Sequence, residues 1–416
     1  MKGNKKVAIV GGGINGLVLA NLLSPKHQIT IFEKENQLGG LLSAGAKRND
    51  WQWPLENFYH HFFTSDKETI NLLRQLNIKY SFKRPKTATY QKNKIYQLDS
   101  ALSLLAHPYL NFPQKLRAGA AIAALKLWPS AKLLEGKTAV EALPKIMGKK
   151  AYQALWEPLL WGKFGQNMNQ VGAGWFWARI KKRSQKLGYP EGGFPTLVAK
   201  LEGKIKKQGS RIFLNQEIKN LEKLQNNFDQ IIVTTPMPIF LKTAPHLPQG
   251  YQNKLKKIKH LGAINLILVC QKPLLPENVY WLNINEKSFP FVALVQHTHF
   301  INPRFYNHKH ILYIGGYYPQ NHPFFKKNKE ELLKEEFFPY LKKINPRFGT
   351  DDIKDLILTA NLYAQPLVAP GYKELIPNHK TPLKNVYLAC MEQIYPWDRG
   401  VNYAIALAQK VAKMIE

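Results

Sequence analysis

Apolar and polar positions along the chain divide it into segments of different period. Val7 to Val10 (VAIV) is a largely β-branched run that stops at Gly11, and Gln28 to Glu33 (QITIFE) is a second run. Between them Asn15 to Leu23 is apolar and compatible with a helix, so the order strand, helix, strand is predicted. From about Leu98 to Arg183 the texture changes to Ala, Leu and Trp with few β-branched residues, which predicts an inserted helical section. Short apolar runs return at Arg211 to Leu214 and at Asp229 to Val233 (DQIIV), the latter stopped by Thr234-Thr235-Pro236. Between Gly262 and Tyr318 the runs AINLILV, VYWLNI, FVALVQH and ILYIGGY are spaced for an antiparallel sheet. Asn385 to Leu388 predicts one more strand, and Val401 to Ile415 an Ala-rich amphipathic helix after a loop. There is no internal repeat and no low-complexity linker, as expected of two domains threaded through each other.

Composition narrows the classes. A chain of 416 residues has room for more than one domain and a large core. Its 45% hydrophobic and 12% aromatic content excludes a disordered polycation. Lys+Arg 59 against Asp+Glu 28 leaves a formal charge of +31, which attracts nucleic acid, phospholipid headgroups or a phosphate-bearing substrate. The lysines are spread along the chain instead of forming a block, so charge alone does not choose among these. Cys270 and Cys390 are the only cysteines, which rules out a disulfide framework or a multi-Cys zinc site and fits a reducing compartment. The first apolar run breaks at Gly11 to Gly13 before a signal peptide could form, and no run approaches the roughly 20 residues of a membrane span. A cytoplasmic protein is expected, with peripheral contact at an anionic membrane surface, no nucleic-acid partner and no metal; oligomeric state is not indicated.

Gly11, Gly13 and Gly16 form G-x-G-x-x-G directly after a predicted strand and at the start of a predicted helix. Glycine there permits the tight turn, close backbone approach to a pyrophosphate and helix-on-strand contact. Glu33 ends the second strand at about the 20-residue offset where a carboxylate accepts hydrogen bonds from ribose hydroxyls. Gly39-Gly40 follows in KENQLGGLL. With this pair the N-terminal region resembles the FAD fingerprint of the flavoprotein superfamily that contains amine oxidases, protoporphyrinogen oxidases, phytoene desaturases and UDP-galactopyranose mutases. The segment Tyr387 to Ile405 (YLACMEQIYPWDRGVNYAI) resembles the C-terminal motif of the amine oxidases, with Ala389, Glu392, Trp397 and Ala404 in matching places and Cys390 and Met391 where Gly and Thr are usual. GYPEGG (Gly188 to Gly193) with Phe194, and the strand from Phe228 to Pro236, resemble the segments that return the chain to the FAD domain. The resemblance implies FAD held by Gly11, Gly13, Gly16, Glu33, Gly39 and Gly40, with Glu392 and the helix start at Val401 near the flavin. It also implies an α/β fold, with a Rossmann-like FAD domain from residues 1–97, 190–240 and 384–416. That domain is interleaved with an α+β substrate domain made of the helical insertion 98–189 and a mainly antiparallel sheet in 241–383.

Within WQWPLENFYHHFFTSDK (Trp51 to Lys67), Glu56, His60 and His61 are the candidate catalytic groups, placed by the resemblance beside the flavin and suited to proton transfer. YHHFFTSDKE also resembles a mutase stretch in which His60, Phe62, Thr64 and Lys67 align, with Phe63 standing where the mutases have a second histidine. Trp156 to Ile180 is similar to protoporphyrinogen oxidase-like proteins, and the density of Trp156, Trp161, Trp175 and Trp177 predicts a large apolar pocket. Arg179 and Arg183 fall where the mutases grip a nucleotide diphosphate. Lys163, in WGKFG, cannot be given the flavin-side lysine role of amine oxidases from its neighbourhood alone. No second G-x-G-x-x-G is present, and Gly315-Gly316 lacks its spacing, so oxygen, a quinone or another acceptor is expected to reoxidise the flavin. The leading expectation is an FAD-dependent oxidoreductase taking hydride from a C–H bond of an apolar, membrane-derived or tetrapyrrole small molecule. A non-redox nucleotide-sugar mutase is the enzyme alternative. The non-enzyme alternative is a basic membrane- or nucleic-acid-binding module.

Overall fold

The computed structural model of the chain describes residues 4–415. Two sheets organise it. The first is parallel throughout, in the order Arg211–Phe213, β2 (Gln28–Phe32), β1 (Lys6–Val10), Gln230–Val233, Val386–Leu388. Its central strands are apolar on both sides because both faces are covered: Val7, Ala8, Ile9, Ile31, Ile231, Ile232 and Val233 have no exposed surface. On one face α1 (Ile14–Leu23), the helix Gly193–Lys207 and the C-terminal helix Val401–Ile415 share a core through Leu17, Leu201 and Val411. This sheet is assembled from the beginning, the middle and the end of the sequence, as the interleaved α/β reading expects.

The second sheet has seven strands, in the order Ile353–Pro366, His260–Cys270, His310–Tyr318, Ala293–Gln296, Val279–Ile284, Lys86–Gln91, Lys94–Gln97. It is mixed, because Val279–Ile284 pairs parallel with Lys86–Gln91 while its other neighbours are antiparallel. Residues 86–97 therefore sit in this sheet, whereas the sequence boundary at 97 groups them with the nucleotide-binding segments. They form a hairpin turned by Lys92 and Asn93, both at positive φ, and it buries Ala88 and Tyr90 against Leu282 and Ile284. A pairing partner almost 200 positions downstream leaves no local sign in the hairpin's own sequence.

A small third sheet, Phe62–Phe63, Leu187–Pro190 and Tyr80–Lys83, joins the aromatic 51–63 segment to the returning chain. The 98–189 section is helical, as its composition predicts. No helix among the described residues is long and apolar enough to cross a membrane.

Candidate functional site

The glycine-rich turn shows why each glycine is there. A Cβ on Gly11, whose φ is +109°, would lie 2.6 Å from Thr234 Oγ1, and one on Gly16 would lie 2.1 Å from the Gly11 carbonyl oxygen. These two positions serve internal packing. Gly13 differs: its backbone is extended (φ −69°, ψ 178°), open to any residue, and a Cβ there meets nothing within 4 Å. The missing side chain keeps space free at the start of α1, whose first N–H groups have no side-chain cap. Gly39, at φ +112°, donates its N–H to the Gly12 carbonyl at 2.9 Å, so the second glycine pair closes against the first turn. An uncapped helix start facing a glycine-lined cradle fits a pyrophosphate.

Glu33 lies at the end of β2 and is largely buried. Its carboxylate accepts the Gly12 N–H at 2.7 Å and the Glu35 N–H at 3.0 Å, which fixes it beside the turn with lone pairs left for ribose hydroxyls. Glu33→Ala should weaken FAD binding by about 1.5–3 kcal/mol, roughly tenfold or more, as for a charged hydrogen bond. Flavin fluorescence titration measures this, and an unchanged affinity would assign the ribose to another group.

At the other end of the chain, Val401 is buried at the first turn of the C-terminal helix. Asn402 beside it accepts the N–H groups of Glu68 and Thr69 through Oδ1, at 2.9 and 3.2 Å, tying this turn to the helix Lys67–Gln75. Glu392, expected near the flavin, has its carboxylate committed elsewhere. It accepts the Met237 N–H at 2.9 Å and lies 2.8 Å from His260 Nε2, fully buried, and so clamps the turn after Pro236.

Arg399, just before the helix start, and Leu41, just after Gly39-Gly40, line the same cavity of about 110 Å³. Phe58, Tyr59, His60, Asn265 and Tyr317 complete most of its wall. The Gly315-Gly316 pair belongs here: a Cβ on Gly315 would lie 2.7 Å from the Tyr59 hydroxyl, so glycine makes room for that ring. A larger groove of about 510 Å³, beside Met237, Lys256 and Tyr363, shares no residue with the glycine turns or with this cavity.

The three candidate catalytic residues separate. His60 faces the cavity, and its Nδ1 is 2.6 Å from the Phe58 carbonyl, which places the proton on Nδ1 and leaves Nε2 an acceptor. Burial lowers its pKa to about 4, so the ring is neutral at physiological pH. His61 turns away and packs among Phe63, Tyr280 and Trp281, with burial lowering its pKa to about 3. Glu56 does not line the cavity. It is wholly buried, accepts the Tyr189 hydroxyl on both oxygens at 2.8 and 3.0 Å, and burial raises its pKa to about 7. The four tryptophans share no common wall: Trp177 stacks on Trp397, Trp175 donates to Asp398 at 3.0 Å, Trp156 meets Phe176 edge-on, and Trp161 lies under Lys287. None of the four lines the cavity.

A cluster not anticipated as a unit stands beyond Tyr317. Asp398 is ion-paired with Arg179 and lies 3.9 Å from Lys163 Nζ. Arg399 donates to Tyr317 Oη at 2.8 Å and to Gln365 Oε1 at 3.1 Å. Arg183, which is exposed, lies beside Arg179, and the neighbouring guanidinium charge brings the pKa of Arg183 down to about 9. One signal was in the sequence: Trp175, Arg179 and Lys182 share a helix face at i, i+4 and i+7, next to Arg183.

A parallel nucleotide-binding sheet with two interlocked glycine turns, joined to a mixed sheet that walls a cavity beside them, defines a two-domain flavoprotein oxidoreductase fold. The chain belongs to the flavin containing amine oxidoreductase family, whose sequence profile matches residues 14–415. It is accordingly an enzyme of that family with FAD as cofactor, and the Gly13 cradle and Glu33 fit that group. No curated protein sequence matches it. Among solved structures it is similar to a candidate protoporphyrinogen oxidase from Exiguobacterium sp. 255-15, with TM-score 0.72 and 18% identity over 99% of this chain and 98% of that one. It is also similar to a reduced UDP-galactopyranose mutase, with TM-score 0.72 and 12% identity over 99% and 96%. A putrescine oxidase bound to putrescine gives TM-score 0.70 and 15% identity over 99% of both chains. At these identities the likeness is one of fold.

Proposed function

We propose that the protein oxidises a C–H bond of a substrate whose reacting part is apolar and sits in the cavity between Tyr59, His60 and Tyr317. The observation that carries this reading is the convergence of Leu41, from the second glycine turn, and Arg399, from the C-terminal loop, on that one aromatic-walled space. FAD supplies the two-electron acceptor when bound. The chain's part is to hold the cofactor at Gly13, Glu33, Gly39 and Gly40, on a turn that Gly11 and Gly16 shape, to exclude water with Phe58, Tyr59 and Tyr317, and to offer the unprotonated Nε2 of His60 to a proton. The cavity wall contains no carboxylate, and Arg399 is its only charged side chain, so a cationic amine is a poor fit.

Anaerobic mixing of the FAD-loaded protein with porphyrinogens, polyenes, amines and nucleotide sugars tests the reaction class. Bleaching of the oxidised flavin band by a porphyrinogen or polyene is expected. Bleaching by amines alone would move the assignment to amine oxidation. Turnover of a nucleotide sugar only by dithionite-reduced protein would replace the redox reading with a mutase.

Access from a membrane surface is part of the proposal. Among the described residues eleven large apolar side chains stand exposed, and six of them, Leu102, Leu105, Phe112, Leu116, Leu127 and Leu133, fall in one helical stretch. Residues 101–134 hold Lys115, Arg117, Lys126 and Lys132 and no acidic residue. Exposed leucines among uncompensated cations suit an anionic bilayer, where each basic residue contributes about 1 kcal/mol. Sedimentation with vesicles should show binding to anionic but not to neutral lipid, weakened by salt. Equal behaviour with both lipids would remove the membrane from the proposal.

A further inference from the structure

We infer that the groove of about 510 Å³ beside Met237 is a second ligand site, separate from the cavity walled by Tyr59 and His60, and that it takes a small organic anion, a carboxylate or phosphate head on an apolar body. Its volume falls within the roughly 300–1,000 Å³ of small-molecule sites, and it opens where three parts of the fold meet, a common place for such sites. The helices Met237–Thr243 and Gln249–Lys256 form one side and Asn167 of the helical insertion another. The turn from Pro319 to Asn321, with Tyr363 of the mixed sheet, forms the third.

The lining divides by chemistry. Met237, Leu255, Ile258 and Leu261 are buried and give an apolar floor. Lys256 and Lys259 stand exposed at the rim, and the wall contains no carboxylate. Lys259 donates to Gln170 Oε1 at 3.0 Å, whereas among the described residues the Lys256 ammonium has no hydrogen bond or ion pair. A floor that shelters apolar surface beneath an uncompensated ammonium suits an anionic head on an apolar body. His260 adds a polar edge within the groove. Its side chain is only 3% exposed, its Nε2 lies 2.8 Å from Glu392 Oε1 behind the wall, and among the described residues its Nδ1 has no partner. With an anion in the groove the ring stands between two negative groups and, protonated, donates to both.

The groove and the cavity lie on opposite sides of the same strand ends. Leu261, Pro319 and Tyr363 line the groove, while Ala263, Tyr317 and Ala364, each one or two positions away, line the cavity. The pairing of His260–Cys270 with Ile353–Pro366 slips at this point: Leu261 stands opposite Gln365 and Ala263 opposite Asn361, so two steps on one strand span four on the other. Such an irregularity re-aims side chains and is frequent beside functional sites. Gln365, within it, accepts the Arg399 guanidinium at 3.1 Å. An occupant of the groove therefore rests against the support of Arg399 without entering the cavity, and the inference goes beyond the reaction proposed there.

The test is calorimetric titration of the FAD-loaded protein with octanoate and with octyl phosphate, below their micelle concentrations and at constant ionic strength, with 1-octanol as the neutral control. Saturable binding of the anions is expected, with octanol roughly tenfold weaker or more, as for loss of a charged hydrogen bond. Lys256→Gln combined with Lys259→Gln should weaken the anions by a similar factor, and because both side chains are exposed it should keep the flavin spectrum and the melting temperature. Leu241→Trp, at the groove wall, should exclude both anions by filling the space. Arg399→Gln should bind them as the parent does. The tighter of the two anions identifies the head group. The inference is overturned if neither anion binds saturably, if octanol binds as tightly, or if the double lysine variant binds as the parent does. It is equally overturned if Arg399→Gln abolishes binding, which would place the anion in the cavity.

Discussion

Gly13→Thr should give a folded chain that no longer retains FAD. Glycine at this position is not required by its backbone, which is extended, and a Cβ there meets no protein atom within 4 Å. Threonine is about as good as glycine at a helix N-cap, so α1 should be little affected. The space a threonine side chain fills is the space in which the glycine-rich turn lets a pyrophosphate approach the backbone. A loss of FAD affinity of about 100-fold or more is expected, close to 3 kcal/mol. Gly16→Ala supplies the contrast. Its Cβ would fall 2.1 Å from the Gly11 carbonyl oxygen, so the turn itself must move, and the apo-protein should lose roughly 1–3 kcal/mol of stability. Fluorescence titration with FAD and thermal melts of the apo-proteins separate the two effects. Retention of FAD by a correctly folded Gly13→Thr protein would show that the cofactor does not run past this turn.

What could be read from the chain beforehand was what short-range pattern encodes. Val7 to Val10 and Gln28 to Glu33 announce buried parallel strands because both faces must be apolar, and Gly11, Gly13 and Gly16 are legible because only a particular turn needs glycine at those intervals. Glu33 followed from its distance along the chain to that turn. The hairpin at 86–97 was misplaced because its identity depends on a pairing with Val279–Ile284, and residues so far apart leave no periodic trace in either segment. Glu56 and His60 are four positions apart, yet one faces a sealed cluster of tyrosines and the other a cavity. That division is made by the packing of Tyr189, which arrives from 133 positions downstream. Arg179 and Arg183 were legible only through the resemblance to the mutases, and the pairing of Arg179 with Asp398, 219 positions away, left no local sign.

That separation makes Asp398 the most consequential single charge outside the glycine turns. Burial alone would raise its pKa, but Lys163, Arg179 and Arg399 outweigh burial and hold the carboxyl well below the usual carboxylate range. A carboxylate depressed in the folded state contributes stability that is fully present above its unfolded pKa, about 3.9, and is lost as pH falls below that value. At pH 7 the contribution is complete. Asp398→Asn keeps the shape and an acceptor for the Trp175 indole N–H, now 3.0 Å from Oδ1, and removes only the charge. Three guanidiniums then stand beside Lys163, whose pKa burial already brings well below the ordinary lysine value, with no carboxylate paired among them. Breaking a buried pair in this way costs about 3–5 kcal/mol. Urea unfolding of the FAD-free protein at pH 7 should show that loss, and the gap between variant and parent should narrow between pH 5 and pH 3 as the parent's own carboxylate nears protonation in the unfolded chain. Arg179→Met combined with Asp398→Asn should recover part of the loss, because the double variant carries one cation fewer into the same low-water space. An Asp398→Asn protein as stable as the parent at pH 7 would mean that solvent already screens the cluster and that the pair contributes nothing to the fold.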